Sequence, residues 1–295
     1  MFNTLKYYKV WFTVSALILI FGVASLSIYG LKLGIDFKGG SQIELQFNQP
    51  FDLVKVQEAI TKQDVGSFQT QTASNNSLII KTQSLSKEQH DKILTEIKAA
   101  AGEFTETHYD NVGPIIGKEL SKNAFLQLLF VSLGISIYIA YAFRKVTKPV
   151  TSWRFGGAAI IALFHDLLFV LGVFSLLGHY RGVEIDSLFV TGILTVLGFS
   201  VHDTIVVFDR IRENLRTHAG QSIEFVVNHS IAQTIVRSLN TSLTVLFVLL
   251  SLLLFGGESI RYFVLCLFIG IIVGTYSSIF IASPILVLWQ KWKTK

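Results

Sequence analysis

The stretch GFSVHDTIVVFDRIREN (198–214) places an ionisable pair inside an otherwise apolar helix. Apolar residues lead into it from Leu188, His202 and Asp203 interrupt them, and a charged run closes the stretch. A charged side chain at the centre of a bilayer costs about 2.5–3.5 kcal/mol on insertion scales, so such residues usually face the interior of a helix bundle and serve a function. The stretch therefore predicts a membrane helix that carries a functional acid.

The composition of the whole chain is that of a membrane protein. Its 295 residues are 51% hydrophobic and 15% charged, with a mean hydropathy of +0.53, which is too apolar for a soluble domain of this length. A bilayer core about 30 Å thick needs roughly 20 apolar residues per helix. Six runs are long enough, at residues 9–29, 124–143, 155–178, 187–208, 231–255 and 260–288. We interpret the first as an uncleaved anchor.

Basic residues lie at one end of these spans. They are Lys6 and Lys9 before the first, Arg144, Lys145, Lys148 and Arg154 between the second and third, Arg210, Arg212 and Arg216 after the fourth, and Lys291, Lys293 and Lys295 after the sixth. The opposite short loops contain Arg181 and Arg261. Since positive loops stay in the cytoplasm, we expect both termini inside and the long segment after the first span outside. The net charge of +5 follows this topology and does not indicate a nucleic-acid partner.

Residues 30–122 break the membrane pattern and predict a small α+β domain. Alternating polar and apolar residues predict strands, and helical spacing predicts two amphipathic helices. In order, these are strand 41–47, helix 51–60, strand 66–72, the polar turn 73–76, strand 77–83, helix 85–101 beginning at Ser86, and strand 103–109. This β-α-β-β-α-β order is ferredoxin-like. The chain is thus expected to divide into residues 1–29 (N terminus and helix 1), 30–122 (outside domain with hinge segments) and 123–295 (helices 2–6 and C terminus).

The outside domain contains no pattern that suggests catalysis. Neither a metal-spaced cluster of His and Cys nor a nucleophile–base pair is apparent, and we expect no enzyme activity, no cofactor and no metal. His90 and His108 are solitary and are expected to be ordinary surface residues. The single Cys266 falls in the last span, so the chain cannot form an intrachain disulfide.

Two glycine-containing segments join the outside domain to the membrane. GLKLGIDFKGGSQIEL (30–45) follows the first span, and VGPIIGKEL (112–120) precedes the second. Glycine permits tight turns and close backbone approach, and proline sets a stiff turn. We expect a hinge at the membrane surface; a flexible exit loop is the alternative. The hinge candidates are Gly34, Asp36, Gly39, Gly40, Gly113 and Pro114.

Ionisable residues occur on three of the spans. They are Asp166 with His165 on span three, Asp203 with His202 on span four, and Arg237 on span five. Counted from the nearest charged ends, Asp203 lies about 10 Å and Arg237 about 12 Å from the cytoplasmic side, whereas Asp166 lies about 18 Å in, near mid-bilayer. Asp203 and Arg237 are therefore expected to meet as an ion pair.

The expected pair has two interpretations. One is a static ion pair that locks two helices together. The other is a protonation-switched pair, in which Asp203 takes up a proton when the helices separate it from Arg237. Asn240, Thr241 and Thr244 share the face of Arg237 and are expected to hydrogen-bond across helices or to hold water. His165 and His202 are weaker candidates, because each is equally explained by a hydrogen bond to a neighbour.

Small residues and a proline mark the last span. GIIVG (270–274) is a G-x-x-x-G pattern that favours close helix approach, and packing within this chain is its simplest interpretation. Pro284 is expected to kink or end the helix.

Five stretches together resemble one known family. They are GIDFKGGS, VGPIIGKEL, ALFHDLLFVLGVFSL, GFSVHDTIVVFDRIREN and RSLNTSLTVLFVLLSLLLFGG. They are similar to the SecD/SecF family of protein-export membrane proteins, and the small outside domain favours its SecF subunits. The resemblance extends from about residue 5 to residue 290. The family commonly has Asn where His202 stands, which places a role for position 202 in doubt but not one for Asp203.

The resemblance implies a fold, partners and a function. The fold would be an RND-type half-transporter with six membrane helices and a domain inserted after the first. The partners would be SecD, the SecYEG channel and a translocating preprotein in the inner membrane of a prokaryote. The function would be Sec-dependent export assisted by the proton-motive force, with Asp203, Arg237 and Asp166 in the proton relay. The alternative is half of a proton-coupled RND exporter of small molecules or lipids. An intramembrane enzyme is disfavoured, since H-E-x-x-H and G-x-S-x-G are absent.

Overall fold

The chain forms two compact units. The computed structural model describes residues 4–63, 65–73, 76–144 and 151–294. One unit is Leu33–Phe125, here called the α+β unit, and the other, the membrane unit, is Met1–Lys32 with Leu126–Lys295. The predicted topological residues Lys145, Lys148 and Lys295, and Ser74 and Asn75 of the predicted turn, lie outside the described residues.

The strands, amphipathic helices and membrane spans follow one another in the predicted order, and α2 and the π-helical segment are additional. In chain order they are a 3₁₀ turn (Thr4–Tyr7), α1 (Tyr8–Tyr29), α2 (Ile35–Lys38), β1 (Gly40–Phe47), α3 (Leu53–Thr61), β2 (Phe68–Ala73), β3 (Ser77–Thr82), α4 (Lys87–Ala101), β4 (Phe104–Val112), α5 (Pro114–Ala142), α6 (Ser152–Arg181), α7 (Ser187–Thr217), α8 (Ile223–Phe255), a second 3₁₀ turn (Glu258–Ile260), α9 (Arg261–Ser277), a π-helical segment (Ser278–Ala282) and α10 (Ser283–Thr294).

The α+β unit is built on an antiparallel sheet with the strand order β2-β3-β1-β4. Ile43 of β1 lies opposite Ile80 of β3 and Tyr109 of β4. Alternate residues of the strands pack against the apolar faces of α3 and α4 and form a buried hydrophobic core. Its members include Ile43, Leu45, Phe47, Val56, Ile60, Leu78, Ile80, Ile93 and Ile97. The predicted ferredoxin-like arrangement is confirmed.

Local signals place the ends of the two amphipathic helices. The Asp52 side chain accepts a hydrogen bond from the Val54 N–H at the start of α3. Ser86 caps α4 with a reciprocal capping box to Gln89, which is the start predicted from the sequence.

His90 is not the surface residue that the sequence suggested. It is 9% exposed, because it shares the buried face of α4 with Ile93 and Ile97. Its Nε2 lies 2.9 Å from Glu106 Oε1, and its ring lies 4.0 Å from that of Tyr109. His108 is exposed, as expected, and lies 2.7 Å from Asp110.

The two predicted hinge segments pack directly against each other. Gly39 has φ +80° and Gly40 φ +150°, conformations that favour glycine. A Cβ on Gly39 would lie 2.8 Å from Pro114 Cα, and one on Gly117 would lie 2.7 Å from Gly39 N. Pro114 occupies the first position of α5, where its missing N–H costs nothing. Backbone touches backbone here, so the junction is close-packed rather than a loose exit loop.

The described residues contain six helices long and apolar enough to cross a membrane. They match the six predicted spans, but several are longer. The second begins at Pro114 rather than at 124, and the fourth continues to Thr217 rather than to 208. The predictions were short because they followed apolar runs alone, whereas the helices continue into the polar residues that flank those runs.

Pro284, which was expected to kink or end the last membrane helix, does not end it, and the helix geometry changes just before it. The π-helical segment Ser278–Ala282 precedes it, and α10 continues to Thr294. Proline cannot donate a backbone hydrogen bond, so the helical hydrogen-bond ladder is interrupted next to the π-helical segment.

Close packing of α9 on α7 organises the membrane unit. Gly270 lies against Val196, and a Cβ on Gly274 would lie 2.9 Å from Ser200 Cβ. The G-x-x-x-G pattern therefore serves packing within this chain, as interpreted from the sequence. α9 also contacts α6 and α8, so the side chains of three helices, α6, α7 and α8, meet around it.

Candidate functional site in the membrane helices

Asp203 lies inside the helix bundle and is held by hydroxyl groups. It is 5% exposed. Its Oδ2 accepts a hydrogen bond from Thr275 Oγ1 of α9 at 3.0 Å and one from Ser242 Oγ of α8 at 3.4 Å. These two hydroxyls lie 2.6 Å apart. The arrangement provides donors for a buried carboxylate, and hydrogen bonding to a charged group stabilises it in a low dielectric.

Asp166 is fully enclosed, with 0% exposure. Its Oδ2 accepts hydrogen bonds from Ser200 of α7 at 2.5 Å and from Ser277 of α9 at 2.7 Å. Its Oδ1 lies 2.9 Å from His165 Nδ1, whereas His165 Nε2 is buried without a hydrogen-bond partner among the described residues. Asp166 thus joins three helices.

One turn of α9 serves both acids. Thr275 donates to Asp203, and Ser277 donates to Asp166. The next residue, Ser278, begins the π-helical segment, lies 2.8 Å from Thr204 Oγ1 and donates to the Ser200 carbonyl at 3.2 Å. A movement of α9 therefore changes the surroundings of both carboxylates at once.

The predicted ion pair between Asp203 and Arg237 is not formed in this structure. Among the described residues, no ion pair within 4.0 Å joins the two. Arg237 is exposed and lies on another face of α8 from the buried Ser242, which contacts Asp203. Ser242 is five residues further along, or about 7.5 Å. The estimated depth could not predict this, because depth does not fix helix rotation: Arg237 and Ser242, five residues apart, lie about 140° apart around α8.

A polar face of α8 is exposed in the isolated chain. Arg237, Asn240, Thr241 and Thr244 are all exposed, and their spacing places them on one side of the helix, as predicted. Thr241 and Thr244 donate to carbonyls of their own helix at 3.0 and 2.7 Å. The buried face of α8 carries Ser238 and Ser242 instead.

Arg237 also borders a polar cleft of about 360 Å³ between α7 and α8. Its charged and amide lining consists of Asp209, Arg210, Glu213, Gln233 and Arg237. Arg210 donates to Gln233 and to Glu213, both at 2.6 Å. The cleft therefore places the guanidinium of Arg237 next to polar groups from the charged end of α7.

Two of the predicted supporting residues, His165 and His202, differ sharply in burial. His165 lies in the buried cluster beside Asp166, whereas His202 is exposed next to Asp203. Sequence reasoning missed the four hydroxyl residues that hold the acids. They are Ser200, Ser242, Thr275 and Ser277. Serine and threonine are common in membrane helices, so only their contacts distinguish them.

Comparison with known proteins places this chain in one family. Residues 92–292 match the model of the protein export membrane protein SecD/SecF C-terminal region, and residues 24–51 match the SecD/SecF GG motif. The second match includes Gly39 and Gly40 of the close-packed junction.

Full-length relatives agree with these matches. The protein translocase subunit SecF of Thermobaculum terrenum is 45% identical, over 98% of this chain and 94% of the relative. That of Anaerolinea thermophila is 40% identical, over 99% and 96%.

A solved structure has the same fold. The crystal structure of SecDF, a translocon-associated membrane protein from Thermus thermophilus, superposes with a TM-score of 0.83 at 32% identity. The match covers 98% of this chain and 39% of that longer chain. With its six apolar helices and these relatives, the chain belongs to the SecD/SecF family of protein-export membrane proteins, as one of its SecF subunits.

Proposed function

We propose that this chain pairs with a SecD-type subunit in the cytoplasmic membrane and uses the proton-motive force to assist Sec-dependent export of proteins. In this proposal both termini are cytoplasmic and the α+β unit is outside. The SecYEG channel and the translocating preprotein are the further partners.

The observation that carries the proposal is the separation of the two predicted relay residues, Asp203 and Arg237. Asp203 is buried among hydroxyl groups, and Arg237 is exposed beside a polar cleft. A buried carboxylate with neutral partners can exchange its charge for a proton, whereas one locked to a guanidinium cannot do so cheaply. In the present arrangement Asp203 and Arg237 are apart. In the proposed cycle they form an ion pair and separate again as a proton passes. Their separation does not support a static lock.

The energy available is sufficient for such a cycle. A charge that crosses the membrane potential gains about 2.3 kcal/mol per 100 mV. That energy is comparable to the free-energy difference of a few kcal/mol that commonly separates two conformations of a protein. Proton passage would thereby bias the helix arrangement and, through the junction at Gly39 and Pro114, the α+β unit.

The exposed polar face of α8 supports a second membrane subunit. A guanidinium and an amide facing lipid would be costly, and a second six-helix half would bury them. The solved relative, SecDF, is longer than this chain and has room for such a half, since this chain spans 39% of it.

The test is reconstitution of the chain with a SecD-type subunit, SecYEG and SecA in vesicles. Asp203→Asn and Arg237→Met should reduce gradient-dependent export to the level measured without a gradient. Glu224→Gln, on α8 but paired with Lys291, is the matched control and should export normally. Wild-type export by both variants would refute the proposal. A gradient-dependent solute efflux without SecYEG would favour the RND exporter instead.

A further inference from the structure

The Thr275 hydroxyl has more acceptors than it can serve. Asp203 Oδ2 lies at 3.0 Å, the Ile271 carbonyl at 2.9 Å and Ser242 Oγ at 2.6 Å. A hydroxyl group has a single proton to donate and rotates to suit its surroundings. The side chains of Thr275, Asp203 and Ser242 are all at least nine-tenths buried. Water therefore does not readily donate to an acceptor that the Thr275 hydroxyl leaves without a proton. The Thr275 hydroxyl can therefore donate to only one of these acceptors at a time, and the charge on Asp203 determines which hydrogen bond is the most stable.

We propose that Thr275 is a positioning residue that transmits the protonation state of Asp203 to α9. When Asp203 is ionised, Thr275 donates to the carboxylate and ties α9 to α7. When Asp203 binds one proton from solvent, an O–H bond forms on the carboxyl group, which then donates to Ser242 Oγ of α8, its other hydroxyl neighbour. Thr275 rotates back to the Ile271 carbonyl, and the tie is released. Loss of the proton reverses the sequence. The inference rests on the proposed role of Asp203 in proton coupling.

The position of α9 makes this tie consequential. Gly274, beside Thr275, packs on Ser200 so closely that a Cβ would lie 2.9 Å from Ser200 Cβ. Ser277, two residues further, holds the second buried acid, Asp166. The helix then changes to π geometry at Ser278, a feature frequent at functional sites. A small displacement at Thr275 is thus transmitted to the Asp166 cluster through one rigid helix.

Other ionisable groups lie near Asp203, but none of them takes the place of Thr275 as its hydrogen-bond donor. Those within about two helical turns of Asp203 or its contacts are His202, Asp209 and Arg210 on α7, His165 and Asp166 on α6, Arg237 on α8, and Tyr276 on α9. Within the described part of the chain, none of them hydrogen-bonds to Asp203; its donors are Thr275 and Ser242.

The experiment measures proton uptake directly. In the reconstituted complex with its SecD-type partner, infrared difference spectra give the titration of the carboxyl band that Asp203→Asn removes. Thr275→Val, which is nearly isosteric, removes a hydrogen bond to the charged form, so the band should titrate roughly one pH unit higher. Thr275→Ser restores the hydroxyl and should titrate as the wild type. Thr234→Val is the matched control, since Thr234 is buried and bonds to the Ser230 carbonyl at 3.0 Å.

The transmission to α9 has its own readout. Cys266 is the single cysteine of the chain, lies on α9 and is buried. With a cysteine-free partner, its rate of modification by a membrane-permeant thiol reagent is divided at each pH by the rate in Asp203→Asn, because thiolate formation alone makes the rate depend on pH. This ratio should change across the Asp203 titration in the wild type and stay constant in Thr275→Val. If Thr275→Val does not assemble, Ser242→Ala removes the weaker donor and should shift the titration in the same direction.

An unshifted titration in Thr275→Val, or a ratio of Cys266 modification rates that varies with pH in Thr275→Val as it does in the wild type, would overturn the inference. Failure of the proposed function is distinguishable: Asp203→Asn would then export normally with a gradient, whatever the infrared titration of Thr275→Val.

Discussion

The Asp203 carboxylate accepts a hydrogen bond from Thr275 at 3.0 Å, so the acid of α7 is held by a neutral group of α9. A neutral partner leaves the charge of Asp203 free to change, because losing the charge costs no buried counter-ion. The same bond ties the acid to the most enclosed helix of the membrane unit. A change of charge at the Asp203 carboxyl group is thereby linked to the packing of α6, α7, α8 and α9.

The exposed face of α8 should determine assembly with the second subunit. Asn240→Leu removes an amide that a partner would satisfy, and we expect association about tenfold weaker, which corresponds to one buried hydrogen bond of about 1.4 kcal/mol. Recovery of the SecD-type subunit on co-purification at graded detergent concentrations measures it. Leu243→Val, on the exposed apolar side of α8, is the control. Equal recovery for both variants would contradict burial of the polar face.

Ser277 should contribute stability through Asp166. Ser277→Ala leaves a carboxylate with 0% exposure short of one donor, at a cost of about 1–3 kcal/mol, so the thermal midpoint of the purified complex should fall. Ser136→Ala removes a hydroxyl that bonds only within its own helix, to the Ser132 carbonyl, and should have little effect. If Ser277→Ala instead loses gradient-dependent export at an unchanged midpoint, Asp166 is a relay residue and not a structural one.

The close approach of α7 and α9 should not tolerate a methyl group. Gly274→Ala places a Cβ 2.9 Å from Ser200 Cβ, and such overpacking costs about 1–3 kcal/mol. We expect a lower thermal midpoint and weaker export. Gly198→Ala, on α7 where a Cβ meets nothing within 4 Å, is the control. A Gly274→Ala protein as stable as Gly198→Ala would mean that α9 shifts freely on α7.

The junction between the hinge segments should behave in the same way. Gly117 lies in the first turn of α5, and its replacement by alanine brings a Cβ to 2.7 Å from Gly39 N. Alanine favours a helix, so any loss must be steric. Gly117→Ala should raise the susceptibility of the folded protein to proteolysis near residues 33–40 and lower export, whereas Gly113→Ala, with nothing within 4 Å, should do neither. Equal behaviour would show that the junction is loose.

Much of the architecture follows from the order of residue types along the chain. Long apolar runs specify six membrane helices because backbone polar groups cannot remain unpaired in lipid. Alternation in residues 41–47 and helical spacing in residues 85–101 specify the α+β unit, down to the cap at Ser86, because these signals act between residues close in sequence. The acids at 166 and 203 are conspicuous for the same reason: a charge in an apolar run is visible without any knowledge of its neighbours.

The partners of those acids were decided only in three dimensions. Arg237 was the obvious partner for Asp203 by charge and estimated depth, yet Ser242 and Thr275 hold the carboxylate. Likewise His90, solitary in the sequence, is buried against Glu106. Helix rotation and axial offset determine which side chains meet, and a hydroxyl in a membrane helix looks the same whether it bonds to its own backbone or to an acid. Local sequence sets which helices form, and long-range packing sets which of their polar groups face each other.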